Sequence, residues 1–170
     1  HPDTAYERYG IRADTFLAIV IDDNSDSTDD LKNEQDDRFH LVHYPTPFAL
    51  GYANKHNFAF KEAIKMKSEF IYKMHTDMSI KSLHLLESMV NTLKKNHDIM
   101  YVYSSFFYGL KKFTPGKFSV AKLQQGPFIH TTSLMKKDSF VGFDESLKRF
   151  QDWDLFLPMS KHRSYGDWIP

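Results

Sequence analysis

The stretch Phe70-Ile-Tyr-Lys-Met-His-Thr-Asp-Met78 joins an apolar, aromatic-rich run to a polar cluster of His75, Thr76 and Asp77. Such a run is typical of a buried strand, and ligands in an open α/β sheet bind just beyond the carboxyl ends of strands. His75 and Asp77 are two residues apart. On an extended chain they would point to the same side and could hold a divalent cation. The stretch therefore predicts a strand with a ligand site at its end.

Other segments predict strands and helices that alternate along the chain. The predicted strands cover residues 15–21, 39–44, 69–74, 99–107 and 128–135, and the predicted helices cover 51–67, 81–96 and part of 144–161. Residues 109–126 are rich in Lys, Gly and Pro and predict a mobile loop near a site. The alternation predicts a layered α/β fold with a mostly parallel sheet flanked by helices.

Length and composition predict one domain over residues 1–170, and the start at His1 leads us to expect a fragment of a longer chain. The absence of cysteine excludes disulfides and thiolate chemistry. Lys+Arg and Asp+Glu both count 22, so no bulk charge attracts nucleic acid or an anionic membrane. The pairs Lys111-Lys112 and Lys136-Lys137 are expected to be solvated charged faces.

No apolar run is long enough to span a bilayer, and no secretory signal is visible. We therefore expect a cytoplasmic protein, with peripheral attachment to a membrane left open. The sequence contains neither a P-loop nor a GxGxxG fingerprint. A bound nucleotide would accordingly be held by metal and carboxylates rather than by a glycine cradle.

Four motifs, spread from about Thr15 onward, resemble those of the family 2 inverting glycosyltransferases, whose catalytic domain has the GT-A fold. They are Ile19-Val-Ile-Asp-Asp-Asn-Ser25, Gly51-Tyr-Ala-Asn-Lys-His-Asn57, Tyr72-Lys-Met-His-Thr-Asp77, and Val141-Gly-Phe-Asp-Glu145 followed by Phe150-Gln-Asp-Trp-Asp-Leu155. The ordered set is more specific than any one motif. It implies a GT-A-like sheet with a Rossmann-like nucleotide-binding half and an acceptor-binding half.

The resemblance also implies an activity, namely transfer of a sugar from a nucleotide-diphosphate donor to a hydroxyl of a glycan or other acceptor, as in polysaccharide synthesis. It places a divalent cation on Asp77, with His75 as a second ligand. Imidazole tolerates Mn²⁺ better than Mg²⁺, so we expect manganese. The residues implied to bind the nucleotide sugar are Asp22, Asp23, Ser25, Lys55, His56 and Thr76.

On the acceptor side, the resemblance implies that Asp152 is the general base, with Asp154 as its competitor. The residues implied to bind the acceptor are Glu145, Gln151 and Trp153. Plainer explanations stay open for several of these positions. Asp152 could be a helix N-terminal carboxylate, Glu145 could brace its loop, and Trp153 could pack in the core. On the donor side, the acidic turn could simply be an Asx-type turn.

The chain departs from the family pattern in four respects. The first strand of the fold is not recognisable. His75 stands where the family has the first Asp of its Asp-x-Asp motif, and His56 stands where it has Arg. Gln151 replaces the usual Glu. These departures motivate an alternative, a non-catalytic module that binds nucleotide sugars or glycans. A metal-dependent nucleotidyltransferase is a third possibility, but it would require a glycine-rich phosphate loop.

Overall fold

The computed structural model describes residues 18–22, 39–44, 51–75, 77–82, 84–162 and 165–170. The strands in these ranges are β1 (Ala18–Asp22), β2 (Phe39–His43), β3 (Phe70–Tyr72), β4 (Ile99–Ser104), β5 (Phe106–Tyr108), β6 (Lys111–Phe113), β7 (Ser133–Lys136) and β8 (Tyr165–Ile169). The α-helices there are α1 (Tyr52–Lys65), α2 (Leu85–Lys95), α3 (Val120–Gln125) and α4 (Gln151–Lys161).

These strands form three sheets. β1 and β2 pair in parallel, β5 and β6 form an antiparallel hairpin, and the central sheet has the order β3-β7-β4-β8. β7 runs antiparallel to both of its neighbours, whereas β8 runs parallel to β4. The prediction of a mostly parallel sheet is therefore not confirmed, because the central sheet is mixed.

The route of the chain between β4 and β7 explains the reversal. A parallel neighbour of β4 would need a crossover long enough to return along the strand, usually a helix. The residues between β4 and β7, 105–132, do not form such a crossover. They form the β5–β6 hairpin and the 6-residue helix α3 and return the chain to the end of the sheet at which β4 finished, so β7 runs the opposite way.

The segment predicted as a mobile loop, residues 109–126, contains regular structure. It includes β6 and α3, with the Ser119 side chain accepting a hydrogen bond from the Lys122 N–H at the start of that helix. Short elements such as these carry too few residues for a periodic apolar pattern to show in the sequence.

The central sheet lies between two layers of helices. Successive residues of a strand face opposite sides, so Tyr101 and Tyr103 of β4 face one side and Val102 faces the other. The tyrosines belong to the larger core cluster, which also contains residues of α1, α3 and α4. Val102 packs in a second cluster with Leu86, Met89 and Leu93 of α2, the helix predicted over residues 81–96.

Several chain segments converge at one end of the central sheet. β3, β4 and β8 all finish there, and β7 starts there, because β7 is antiparallel to β3 and β4. Residues just beyond these strand ends are thus neighbours in space, as the rule for open α/β sheets predicts. None of the helices in the described ranges has the length and apolar character needed to cross a bilayer.

Candidate active site

A buried lysine and two hydroxyl groups lie behind Asp152. Lys73 follows directly after β3 and is only 7% exposed. Its Nζ donates to the Tyr52 hydroxyl and, over 2.7 Å, to Thr131 Oγ1. Tyr52 donates in turn to Asp152 Oδ1 over 3.0 Å, and Thr131 donates to Asp152 Oδ2 over 3.3 Å. The four side chains form one polar network, which satisfies a charge that would be costly to bury alone.

The protonation states of these groups determine which of them donate hydrogen bonds in the network and which accept them. Burial lowers the pKa of Lys73 to about 8, and the Asp152 carboxylate acts in the opposite direction. Burial raises the pKa of the Tyr52 hydroxyl, and Asp152 raises it further. At neutral pH the ammonium therefore donates to the hydroxyls, and the hydroxyls donate to the carboxylate. Asp152 is the terminal acceptor of the network.

The start of α4 positions Asp152. Phe150 precedes the helix in the left-handed conformation, with φ of 62°, and the helix begins at Gln151. Asp152 therefore lies in the first turn, where the helix dipole favours a negative charge. Its side chain nevertheless reaches across to Tyr52 and Thr131, on different elements. The position at a helix N-terminus is confirmed, and it is compatible with a role in catalysis.

Tyr52 and His56 lie one turn apart on α1 and stack on each other, with ring centroids 3.9 Å apart and an interplanar angle of 27°. His56 Nδ1 lies 2.6 Å from the Tyr52 carbonyl oxygen. Since a carbonyl only accepts, Nδ1 carries the proton. Burial and the nearby Lys73 ammonium lower the pKa of His56 to about 4. The ring is thus neutral at physiological pH, unlike the arginine of the family pattern.

His75 and His130 complete a group of imidazoles beside this network. The His75 ring centroid lies 5.9 Å from that of Tyr52 and 6.5 Å from that of His130. Burial is the largest cause of the lowered pKa of both histidines, and the carboxylates of Asp77 and Asp152 oppose it. Both rings are therefore neutral at pH 7, which is the form that can bind a metal ion.

The polypeptide turns at the predicted metal motif. The Met78 N–H donates to the His75 carbonyl over 3.1 Å, and Asp77 is exposed in the turn. The argument that places both side chains on one side of an extended chain therefore does not apply. No cluster of three metal-ligating side chains occurs in the part of the chain that the structure describes. Two protein ligands still suit a nucleotide site, where phosphate oxygens and water supply the others.

A cavity of about 680 Å³ opens in front of Asp152. Its walls are largely aromatic, and its polar groups come from the network, the imidazole group, the start of α4, Thr114 and Lys122. The described residues that line it are Tyr52, His75, Phe106, Phe113, Thr114, Pro115, Lys122, Pro127, Phe128, Ile129, His130, Phe150, Gln151, Asp152 and Trp153. An apolar pocket with a few convergent polar groups is the usual form of a small-molecule site.

Two of the predicted acceptor-binding residues, Gln151 and Trp153, line this cavity. Gln151 Nε2 donates to the Leu147 carbonyl over 2.9 Å, and Trp153 Nε1 donates to the Leu123 carbonyl over 2.6 Å. These bonds fix both side chains at the cavity, and the indole of Trp153 also makes a T-shaped contact with Phe150. Their role in acceptor binding stays a prediction.

Glu145, the third predicted acceptor-binding residue, lies outside the described cavity lining. Its carboxylate accepts hydrogen bonds from the side-chain amides of Asn54 and Asn57, both on α1. Asn57 also exchanges two hydrogen bonds with the backbone of Phe143, at 2.9 and 2.8 Å. The bracing of its loop against α1 is thus observed, whereas acceptor binding by Glu145 stays a prediction.

The structure says less about the predicted nucleotide-sugar residues. Asp22 is the last residue of β1, paired in register with His43 of β2, but its side chain lies outside the described part. Lys55 is half-buried in the first turn of α1. Asp23, Ser25 and Thr76 lie outside the described residues. The structure therefore brings His56 and His75 close to Asp152, and the roles of all the predicted donor-side residues stay predictions.

Four residues of this site were not predicted from the sequence, namely Tyr52, Lys73, Thr131 and His130. Lys73 lies inside the opening stretch, where a lysine amid apolar residues was the signal that a buried charge must find partners. Thr131 and His130 precede β7 and carry no local signal. Only the antiparallel insertion of β7 between β3 and β4 brings them beside Lys73.

Comparison with known proteins gives a structural match only. No protein-family model matches the chain, and no curated protein matches it. Among solved structures, the chain is similar to the crystal structure of S. aureus TarS 1-349, a glycosyltransferase, with a TM-score of 0.76 and 15% sequence identity. The chain has a glycosyltransferase-like fold.

The match covers 98% of this chain and 52% of the TarS chain. The chain thus spans about half the length of the structure that it resembles. At this identity the likeness establishes the fold alone.

Proposed function

We propose that this protein is a metal-dependent inverting glycosyltransferase of family 2, with a GT-A fold. It would move a sugar from a nucleotide-diphosphate donor to a hydroxyl of a glycan or other acceptor. The observation that carries the proposal is Asp152, which lines the cavity and whose carboxylate accepts hydrogen bonds from Tyr52 and Thr131. The glycosyltransferase-like fold supports it.

In the proposed reaction, Asp152 is the general base. An acceptor hydroxyl in the cavity gives its proton to a carboxylate oxygen as its own oxygen attacks the anomeric carbon of the donor. The bond from that carbon to the diphosphate breaks on the opposite face, and the diphosphate leaves with the bonding electrons. Attack from the far side inverts the configuration. The cavity aligns the two substrates, which removes much of the entropic barrier.

The network behind Asp152 would orient this base. Two hydroxyl donors fix the plane of the carboxylate, and the Lys73 ammonium fixes both hydroxyls. The lysine is buried behind them and is not among the cavity-lining residues. We therefore assign Tyr52, Thr131 and Lys73 positioning roles.

Departure of the diphosphate requires neutralisation of its charge. We propose that Asp77 and His75 hold a divalent cation there, Mn²⁺ in preference to Mg²⁺ because one ligand is an imidazole. Such an ion would stabilise negative charge on the diphosphate as the bond breaks. The neutral state of His75 at pH 7 is the form that this assignment needs.

The remaining assignments concern substrate binding. For the donor nucleotide sugar we propose Asp22, Asp23, Ser25, Lys55, His56 and Thr76. For the acceptor we propose Gln151 and Trp153, which line the cavity, and Glu145 through the loop that it braces.

The decisive experiment replaces Asp152 and compares it with a neighbouring carboxylate. A thermal-shift screen of nucleotide sugars with Mn²⁺ identifies the donor, because a bound ligand stabilises the folded state. Asp152→Asn is then expected to abolish transfer while calorimetry shows donor binding nearly unchanged. Asp154→Asn, in the same helical turn, is expected to keep activity. Full activity in Asp152→Asn, or loss in Asp154→Asn alone, contradicts the assignment of the base.

One alternative is a non-catalytic module that binds nucleotide sugars or glycans. It is motivated by His75 and Gln151, which stand where the resembled family has carboxylates. Donor binding by calorimetry, combined with the absence of both transfer and hydrolysis for every bound donor, would favour this module over the enzyme.

A further inference from the structure

The β5–β6 hairpin projects an apolar tip into solvent. Its strands are joined by a two-residue turn at Gly109 and Leu110, and Gly109 has φ of 59°, the positive value that such turns require at their first position. Leu110 is fully exposed, and Tyr108 is 81% exposed. Large apolar side chains gathered at one exposed point commonly mark an interaction surface.

Lysines surround this tip. Tyr108 pairs in register with Lys111, and Phe107 pairs with Lys112, so each face of the hairpin carries one aromatic ring and one lysine. Lys81 adds a third ammonium, 4.6 Å from the centre of the Phe107 ring. The Lys111 ammonium lies 4.9 Å from the centre of the Phe113 ring, at the base of the hairpin. A lysine stem can lie along apolar surface while its ammonium stays in a polar layer.

The sequence segment that contains the hairpin carries basic residues and no acidic ones. Residues 99–137 contain six lysines and no aspartate or glutamate, although the whole chain has a formal net charge of +0. Lys136 and Lys137 lie at the far end of the central sheet, because β7 runs away from the hairpin end. The positive charge at the tip therefore comes from Lys111, Lys112 and Lys81, and it is complementary to a polyanionic surface.

We propose that the tip of the β5–β6 hairpin docks the protein on an anionic lipid bilayer. Tyr108 and Leu110 enter the headgroup region, where tyrosine and small apolar groups are favoured, and Lys111 and Lys112 contact lipid phosphates. The geometry favours a bilayer over a protein partner. A narrow convex tip can enter headgroups, whereas a stable protein interface needs a broad face of about 800 Å² on each partner.

The base of the same hairpin belongs to the candidate site. Phe106 and Phe113 form the first pair of the ladder, stack with centroids 5.0 Å apart, and line the cavity. Docking through the tip would place the cavity opening close to the lipid surface. The docking itself does not depend on the proposed function, because lipid binding is measured without any sugar donor.

Sedimentation with vesicles tests this proposal. The purified protein is mixed with vesicles of phosphatidylcholine alone or of phosphatidylcholine and phosphatidylglycerol at 7:3, at low salt. We expect it to bind the anionic vesicles and to bind much less to the neutral ones. Tyr108→Ser with Leu110→Ser is expected to lower the partition coefficient about tenfold or more. Lys111→Gln with Lys112→Gln is expected to lower it roughly thirtyfold.

Matched controls separate docking from general effects of polarity and charge. Met66→Ser removes an exposed apolar side chain elsewhere, and Lys94→Gln with Lys95→Gln removes an exposed lysine pair at the end of α2. Both are expected to bind like the wild type. The proposal is wrong if the wild type fails to bind anionic vesicles, or if the hairpin variants bind as it does. It is also wrong if the hairpin serines convert a dimer to a monomer in light scattering, which would make the tip a chain–chain interface.

Discussion

The Tyr52 hydroxyl donates a hydrogen bond to Asp152 Oδ1 over 3.0 Å and so joins the first turns of α1 and α4. The two residues are separated by 100 positions in the sequence. Behind the pair, the buried Lys73 ammonium donates to the same hydroxyl. The orientation of the proposed base therefore depends on Tyr52 and Lys73, which come from other segments of the chain. Each of the two can be tested by a substitution that leaves the Asp152 carboxylate in place.

Removal of the Tyr52 hydroxyl tests the direct contact. Tyr52→Phe keeps the ring stacked on His56 but deprives Asp152 of one donor. A hydrogen bond to a charged acceptor contributes about 1.5–3 kcal/mol, so we expect kcat to fall about tenfold to a hundredfold, with little change in KM for the donor. Tyr103→Phe, which loses one hydrogen bond to the Gly116 carbonyl, is the control and should retain kcat. Equal rates in both variants would contradict the positioning role.

Lys73→Met separates positioning from stability. Methionine fills much of the same volume but removes the charge and both donated bonds. The desolvation cost of a buried ammonium offsets much of what its hydrogen bonds contribute. We therefore expect the free energy of unfolding in urea to change by about 1 kcal/mol or less, while kcat falls at least tenfold. If unfolding and activity decline together, Lys73 serves the fold rather than the base.

Asp77→Asn tests the proposed metal site. Thermal shifts are measured with a panel of nucleoside diphosphates, with and without Mn²⁺. In the wild type we expect Mn²⁺ to increase the stabilisation by at least one diphosphate, and in Asp77→Asn we expect this increase to disappear because a carboxylate ligand is lost. Asp98→Asn, an exposed carboxylate before β4, should behave as the wild type. A variant that keeps the Mn²⁺ effect would place the metal elsewhere.

The lowered pKa values of the site histidines predict that the folded protein becomes less stable at acid pH. The pKa of His56 is lowered from its ordinary value of 6.5 to about 4 in the folded protein. Between these values the unfolded chain binds a proton that the folded protein does not, so stability decreases as pH falls from about 6.5 to about 4. His75 and His130 act in the same direction. Unfolding in urea with a chelator present, at about pH 7 and about pH 5, should show this decrease.

The variant His56→Phe keeps a ring stacked on Tyr52 but cannot take up a proton. Its loss of stability between the two pH values should be smaller than that of the wild type. His97→Gln, at an exposed position before β4, should lose as much as the wild type. An undiminished loss in His56→Phe would mean that another group accounts for the acid sensitivity.

The sequence alone predicted the helices in which a periodic apolar pattern extends over many residues. The helix predicted over residues 81–96 is observed as Leu85–Lys95, with Leu86, Met89 and Leu93 in the core. The helix over residues 51–67 is observed as Tyr52–Lys65. The order of the strands in the sheet and the direction of β7 were not predictable in this way. They depend on which crossover fits the chain between two strands, and short elements such as α3 leave little pattern.

For the candidate site, the sequence by itself determined which residue types are present and where the proposed base falls. Asp152, His75 and Asp77 were predicted, and Asp152 and His75 line one cavity. Only the tertiary structure decided what holds Asp152. Lys73, Tyr52 and Thr131 come from separate segments, and the sequence around each of them does not indicate which partners it meets. The physical reason is that a buried charge must find partners in space, and the insertion of β7 determined which ones lie within hydrogen-bonding distance.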